Sequence, residues 1–327
     1  MMNILIKRRA AGMLFVFLSL SLLATEAVQA ADQRLAYLVS DLRIPFWDIM
    51  KRGVEHRANA LGYKLDVYSA ENDARRELEF TTKAIRDKVS GIILSPTNSS
   101  AAVTILKLAQ KARIPVVIAD IGTDSGEFVS YIASDNVEGS YQLGQLLVKE
   151  LQARKWDAGS VGIIAIPQKR ANGKARTAGF MKALNEAGTK GGDMRQQVDF
   201  SYQETYDFAR QLIAAKPDLR ALWLQGSDRY QAALDAISSA GRQGAILLIC
   251  FDAEPEFIDM IRKGQLLGAG MQQPFLMGEE AVSAMDAHMK GRKVKQTVLL
   301  PVLPVSGKNI KSMLPLIQRN VLGLNVK

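Results

Sequence analysis

Short apolar segments alternate with amphipathic ones along nearly the whole chain, and few folds accept that rhythm. The apolar segments are RLAYLVS, KLDVYSA, GIILSPT, IPVVIAD, VGIIAI, QVDFS, ALWLQG, AILLICFD and QLLGAGMQ. Several are continuous apolar runs, as expected of strands buried on both faces. Between them, apolar residues recur at helical spacing over 75–88, 101–112, 137–153, 174–187, 204–215, 229–240 and 275–289. Strand, helix and strand in succession build parallel sheets covered by helices on both sides. The rhythm occurs twice. Four units run to Asp120, FVSYIASDN then reads as a strand passing from one half to the other, and a second set begins with the helix at 137. The expected fold is therefore α/β, with two similar Rossmann-like lobes, although no direct sequence repeat links them.

The most informative local segment is the first. RLAYLVS ends at Ser40, a short loop DLRI follows, and Pro45, Phe46 and Trp47 open the helix FWDIMKRGVEHRANALG. Proline suits the first turn of a helix, where its missing N–H would have had no partner. Two rings and a small hydroxyl thus stand at the carboxyl end of a strand, where open parallel sheets bind their ligands.

The N-terminus sets the compartment. Lys7, Arg8 and Arg9 precede an apolar run from Ala10 to Ala24, and Val28-Gln29-Ala30 offers small residues before Ala31. This is the pattern of a secretory signal peptide over residues 1–30. The apolar run falls short of the roughly 20 residues that span a bilayer, which argues against a retained anchor. No cysteine lies near the cleavage point, so a lipoprotein is not expected. Export to the periplasm is. Cys250, the only cysteine, cannot form an internal disulfide and reads as core filling.

The formal charge of +9 falls to +7 once residues 1–30, with three basic residues and Glu26, are removed. Its basic residues are spread along helices, so the excess reads as solvated helix faces and not as a nucleic-acid surface. Enzyme chemistry finds no pattern. There are two histidines, His56 and His288, and no metal-ligand spacing, phosphate loop or nucleophile elbow. No catalytic residue, metal or cofactor is expected.

Taken in order, SDLRIPFW, GYKLDVYSAEND, GIILSPTNSSA, IPVVIAD, YIASDNVEGSYQLG, GFMKALNEAG, FDAEPEFIDMIRKGQLLGAGMQQP and LLPVLPVSGKNI cover nearly the whole mature chain. In these stretches the chain resembles the periplasmic sugar-binding proteins of the ribose type, which serve ABC importers and are related to the ligand-binding half of LacI-like repressors. A repressor would begin with a helix-turn-helix where this chain has a signal peptide. The resemblance implies a periplasmic-binding-protein fold of type I with a three-stranded hinge. One lobe would hold 32–134 plus 273–303 and the other 135–272 plus 304–327, with crossings near 134, 272 and 303. It also implies a monomer that captures a small carbohydrate or polyol and delivers it to an ABC permease. A ligand-sensing subunit reporting to a sensor kinase or chemoreceptor is the alternative, since both kinds share the fold.

Residue by residue, the resemblance implies ligand contacts from Ser40, Phe46, Trp47, Asp120, Phe251, Asp252 and Gln272. Phe200 falls where an aromatic is expected, with Tyr202 as the alternative. A carboxylate after a strand can also cap a helix, and for Asp252, which precedes EPEFIDMIRKG, both readings stand. The departures are as informative. Ile121 replaces an arginine after the first aspartate, Ile44 a polar residue of the first loop, and Gly226 an asparagine, with Ser227 and Asp228 just beyond. Lys174 stands at the position of an arginine, and a lysine cannot reproduce a two-pronged guanidinium grip. Two isoleucines are therefore expected to enter the cleft, and the ligand to have fewer hydroxyls than a pyranose or an apolar or cationic part.

Overall fold

The computed structural model describes residues 33–324 and Val326. The signal peptide expected over residues 1–30 lies outside the described residues. The first sheet is built from β1 (Arg34–Val39), β2 (Lys64–Ser69), β3 (Gly91–Ser95), β4 (Val116–Ala119), β5 (Ser130–Ser134) and β11 (Thr297–Leu300). Their spatial order is β11-β5-β4-β3-β1-β2, with every pairing parallel. The second sheet takes β6 (Ser160–Ala165), β7 (Lys190–Gln196), β8 (Leu219–Leu224), β9 (Leu247–Phe251), β10 (Gly268–Met271) and β12 (Leu303–Ser306). Its order is β12-β10-β9-β8-β6-β7, parallel except for the β10–β12 pair. The molecule is thus two α/β lobes of matching architecture.

Each sheet is apolar on both faces because each face meets helices. On the first sheet, Leu35, Tyr37 and Val39 join Ile93 and Val117 on one side. Ala36, Leu38, Ile92, Leu94 and Ile118 form the other. This is the two-residue side-chain period of a strand read out on two cores. The first core is closed by α1 (Pro45–Ala60) and α9 (Pro274–Met289), the second by α2 (Ala74–Arg86) and α3 (Ser99–Lys111). α1 and α9 approach closely at Gly53 and Gly278. A methyl group at Gly53 would collide with the Phe275 carbonyl, and one at Gly278 with that of Met50. The second lobe carries α4 (Asn136–Ala153), α5 (Ala171–Glu186), α6 (Tyr202–Ala215), α7 (Tyr230–Ser239), α8 (Phe257–Arg262) and α10 (Ile310–Leu316).

The chain passes between the sheets after β5, between β10 and α9, and between β11 and β12. Two details differ from the sequence reading. QVDFS is not a strand; β7 is the preceding segment KGGDMRQ, and Val198 is 72% exposed. β7 is an edge strand, and a solvated edge tolerates a polar sequence that gives no apolar signal. The tail is also not confined to the second lobe. α10 runs into a π-helical turn, Ile317–Val321, whose Ile317, Val321 and Leu322 join the second lobe's core. Its polar side chains reach the first lobe instead. Arg319 pairs with Glu279, Asn320 donates to Gln273 at 2.7 Å, and Arg52 donates to the carbonyls of Leu322 and Gly323 at 3.0 and 3.1 Å.

Candidate functional site

The carboxyl ends of both sheets face one another, and side chains from both lobes line the cleft between them. From the first lobe come Ile44, Phe46 and Trp47 after β1 and Asp120 after β4. Pro45 starts α1, and the two rings that follow it meet edge to face, 4.9 Å between centroids and 87° between planes. From the second lobe come Ile166, Arg170, Asn172 and Arg176 after β6, Phe200 after β7, Gly226 and Asp228 after β8, Asp252 after β9 and Gln272 after β10. A capping box fixes Phe200: Ser201 accepts from the Glu204 N–H at 3.1 Å, and the Glu204 carboxylate accepts the Phe200 N–H at 2.9 Å.

Asp120, Phe200 and Asp252 each stand in the left-handed backbone region, with φ of 65°, 54° and 70°. Residues other than glycine are uncommon there, and such conformations gather at functional sites. The turn at Asp120 is held by the Tyr131 hydroxyl, which donates to the Asp120 carbonyl at 2.7 Å. Asp252 caps no helix, because α8 begins five residues later with Glu256 at its N-cap.

The lobes touch directly. Asn172 donates to Asp120 at 2.9 Å, and Arg170 donates to the Thr97 carbonyl at 3.2 Å and to Asn72 at 3.1 Å. The first N–H of α5, on Ala171, is capped across the cleft by the Ser99 hydroxyl at 3.1 Å. Arg176 lies deeper. It stacks 4.1 Å above the Phe251 ring and donates to Asn136 at 2.9 Å and to the Gln225 carbonyl at 2.5 Å, with Asp252 at 3.5 Å.

Phe46, Trp47, Asp120, Phe200, Asp252 and Gln272 converge on the cleft. Ser40 and Phe251 lie behind it, fully buried. Ser40 donates to Asn72 at 2.8 Å, which in turn receives Arg170, and Phe251 is the platform under Arg176. Lys174 is exposed on the far side of α5. Asn172 and Arg176, four residues apart, share the inner helix face, and Lys174 midway between them must point away. The buried positions 172, 173, 176, 179, 180, 183 and 184 of α5 trace one helical stripe, a phase that would have singled out Arg176. Ile44 does line the cleft, but Ile121 is buried in the first lobe's core, in the cluster that also holds Trp47.

Burial governs the electrostatics. It raises the Asp120 carboxyl to about 6, helped by the negative Asp252 and opposed by Arg176, Arg170 and the Asn172 bond. Burial likewise raises Asp252 and lowers the Arg170 guanidinium to about 10. Among the described cleft residues, Asp120 Oδ1, Asp228 Oδ2 and Gln272 Oε1 are buried atoms with no hydrogen-bond partner. No group of three His, Cys, Asp or Glu among the described residues is placed to hold a metal ion, and no described helix is long and apolar enough to cross a membrane.

Behind Thr97 sits a further buried carboxylate. Glu77 accepts the Thr97 N–H at 2.9 Å and its hydroxyl at 3.0 Å, and burial still pushes it up to about 7. A raised acid binds its proton more tightly when folded, so its cost to stability appears as pH rises from 4.5 through 7 and is constant above. Gln at this position can accept the Thr97 N–H through its oxygen and donate its amide N–H to the Thr97 hydroxyl, without the charge. Glu77→Gln should match the parent near pH 4 and exceed it at pH 8 by about 3 kcal/mol, a net figure that already includes the attraction to Arg170. Urea unfolding at both pH values checks this, and a difference that ignores pH would contradict it.

Two parallel α/β lobes that meet over a cleft of rings and carboxylates define a ligand-capturing binding protein. The chain belongs to the periplasmic binding protein domain family, whose model matches residues 35–293. It is 28% identical to the ribose import binding protein of Haemophilus influenzae over 87% of this chain and 95% of that one. To the ribose import binding protein of Escherichia coli it is 30% identical, over 85% of this chain and 92% of the relative. In fold it matches a carbohydrate transporter solute-binding protein from Agrobacterium radiobacter in complex with D-arabinose. The TM-score is 0.82 and the identity 23%, over 89% of this chain and 99% of the other.

Proposed function

We propose that this protein captures a small carbohydrate or polyol in the interlobe cleft and delivers it, as a periplasmic monomer, to an ABC permease. One observation carries the reading. Asp120 Oδ1 and Gln272 Oε1 are buried acceptors with no partner among the described residues, in a cleft walled by Phe46, Trp47 and Phe200. Leaving such groups unpaired costs about 1–3 kcal/mol each, and ligand hydroxyl groups would recover it. Rings suit the C–H faces of a sugar, and acceptors suit its O–H edge. The ribose import binding proteins among the relatives support the same class of ligand and an importer as recipient. The charged and apolar leader at residues 1–30 supports the periplasm.

In this reading the ligand bridges the lobes and stabilises the closed form. A thermal-shift screen of pentoses, hexoses and polyols should find ligands that raise Tm. With the best of these, small-angle scattering should show a smaller radius of gyration. Trp47 is one of three tryptophans, and the Trp223 ring is stacked in the core against Phe180. Binding should therefore change the fluorescence, and Trp47→Phe should remove most of that change. A screen without a hit, or scattering unmoved at saturation, would tell against capture by closure.

A further inference from the structure

The fold gathers basic residues that the sequence scatters. Every pairing in the first sheet is parallel, so the amino ends of its strands form one pole of that lobe, opposite the cleft. Four helices feed strands there: α1 into β2, α2 into β3, α3 into β4 and α9 into β11. From the last turn of each helix to the first residue of its strand, these connections carry eleven Lys and Arg against two carboxylates, Asp87 and Asp286. Both carboxylates are already taken, Asp87 by Lys83 at 2.6 Å and Asp286 by Lys290 and Arg292. The turn entering β5 adds Glu127, which accepts from Gln110 at 2.8 Å. Lys88, Lys111, Arg113, Lys293 and Lys295 are exposed and, among the described residues, pair with no acid.

Helix C-termini attract cations through the helix dipole, and the second lobe shows how far that goes. Its five connections of the same kind, from α4 into β6 through α8 into β10, hold seven Lys and Arg against five carboxylates. The excess on the first lobe is therefore not a consequence of the architecture. Its unpaired cations stand where the chain enters β3, β4 and β11, which span three strand spacings, or ~15 Å, so their fields add. On the same face an open groove of about 360 Å³ is lined by Leu106, Ile114, Phe128 and Val129 together with Arg113 and His288. Cations on separate, flexible side chains around an apolar groove suit an anionic amphiphile. A fluid layer of phosphates can meet them without a matching shape, whereas a protein partner would need acids at fixed positions.

We propose that this pole of the first lobe docks the protein on an anionic lipid bilayer. Phosphate headgroups meet the unpaired cations, the groove receives the apolar part of a lipid, and the cleft, at the other end of the lobe, faces away from the bilayer. The docking face is separate from the cleft and independent of what the cleft binds.

The mature protein is sedimented with vesicles of phosphatidylcholine alone and of phosphatidylcholine mixed equally with phosphatidylglycerol. It should bind the anionic vesicles only, and release them when salt rises from roughly 0.05 to 0.5 M, where screening shortens to ~5 Å. Near a charged surface each basic residue contributes roughly 5-fold in affinity. Lys111→Gln, Lys293→Gln and Lys295→Gln combined should therefore weaken binding by at least ~10-fold. The control takes the same net charge from exposed lysines of the second lobe, as Lys155→Gln, Lys263→Gln and Lys308→Gln combined. It should weaken binding by less than ~3-fold, since those charges lie beyond the screening length of the docked face. No binding to anionic vesicles at low salt, equal binding to neutral ones, or equal losses from the two triple variants would each overturn the proposal. Retention on immobilised polyglutamate without vesicle binding would put an acidic protein in place of the bilayer and overturn it as well.

Discussion

Replacing Arg176 by alanine should cost the protein about 3–5 kcal/mol, the order found when one partner of a buried charged group is removed. Arg176 is 2% exposed and ties three elements of the second lobe together: Asn136 at the start of α4, the Gln225 carbonyl after β8, and Asp252 after β9. Its loss would leave Asp252 buried near Asp120 and Asp228 without its nearest cation. It would also open a void above Phe251, where the guanidinium now packs at 4.1 Å. At roughly 2–4 °C per kcal/mol for a chain of this size, the melting temperature should fall by about 10 °C. Lys174→Ala is the control. It lies two residues away on the exposed face of the same helix and should change stability by less than ~0.5 kcal/mol. Thermal unfolding of both variants decides the matter, and similar losses from the two would refute the assignment of Arg176 as the organising cation.

Asp120→Ala should weaken ligand binding by at least ~2 kcal/mol, or about 30-fold. Two contributions add. One oxygen of the carboxylate is an open acceptor in the cleft, and the other accepts the Asn172 bond that joins the lobes. The pH dependence gives an independent reading. With the carboxyl raised to about 6, the ionised form that accepts ligand hydroxyls prevails above that pH and is depleted below it. Affinity should be flat from pH 7 upward and fall towards ~10-fold per unit below 6, until the lower pKa of the bound state is reached. Asp120→Asn should show a nearly flat profile. Calorimetric titration at pH 5, 6 and 7.5 reads both effects. If Asp120→Ala bound as tightly as the parent, the carboxylate would be no more than a brace between the lobes.

The architecture was legible because burial on both faces of a parallel sheet leaves continuous apolar runs, and GIILS, VVIA and LLICF are such runs. β7 escaped notice because an edge strand need not be apolar. The cleft residues at strand ends were legible for a topological reason: Asp120 and Asp252 end strands of parallel sheets, where side chains face the opposing lobe. What failed was the reading of α5. Alignment by resemblance pointed to Lys174, whereas the helical phase of Gly179, Phe180 and Ala183 leads to Arg176 and Asn172. Ile121 was misjudged on similar grounds. The left-handed turn at Asp120 sends the next side chain back into the first lobe's core, and nothing in the residue string announces that turn. The tail was unreadable because its anchors, Arg52 and Glu279, lie far away in sequence.

That tail makes the molecule a lever with its fulcrum strapped. The turn at 317–321 is rooted in one lobe by Ile317 and Val321 and moored to the other through Glu279, Gln273 and Arg52, beside the crossing at 271–274. Two bodies joined there by three crossings and a short strap can rotate, but they cannot draw apart. Displacement grows with distance from a pivot, so the proposed closure would move Gln272, beside that crossing, less than Phe46 and Phe200, which follow strands farther from it in their sheets. A solute captured by such a lever would pass the aromatic rim first and meet the buried acceptors beside the pivot last.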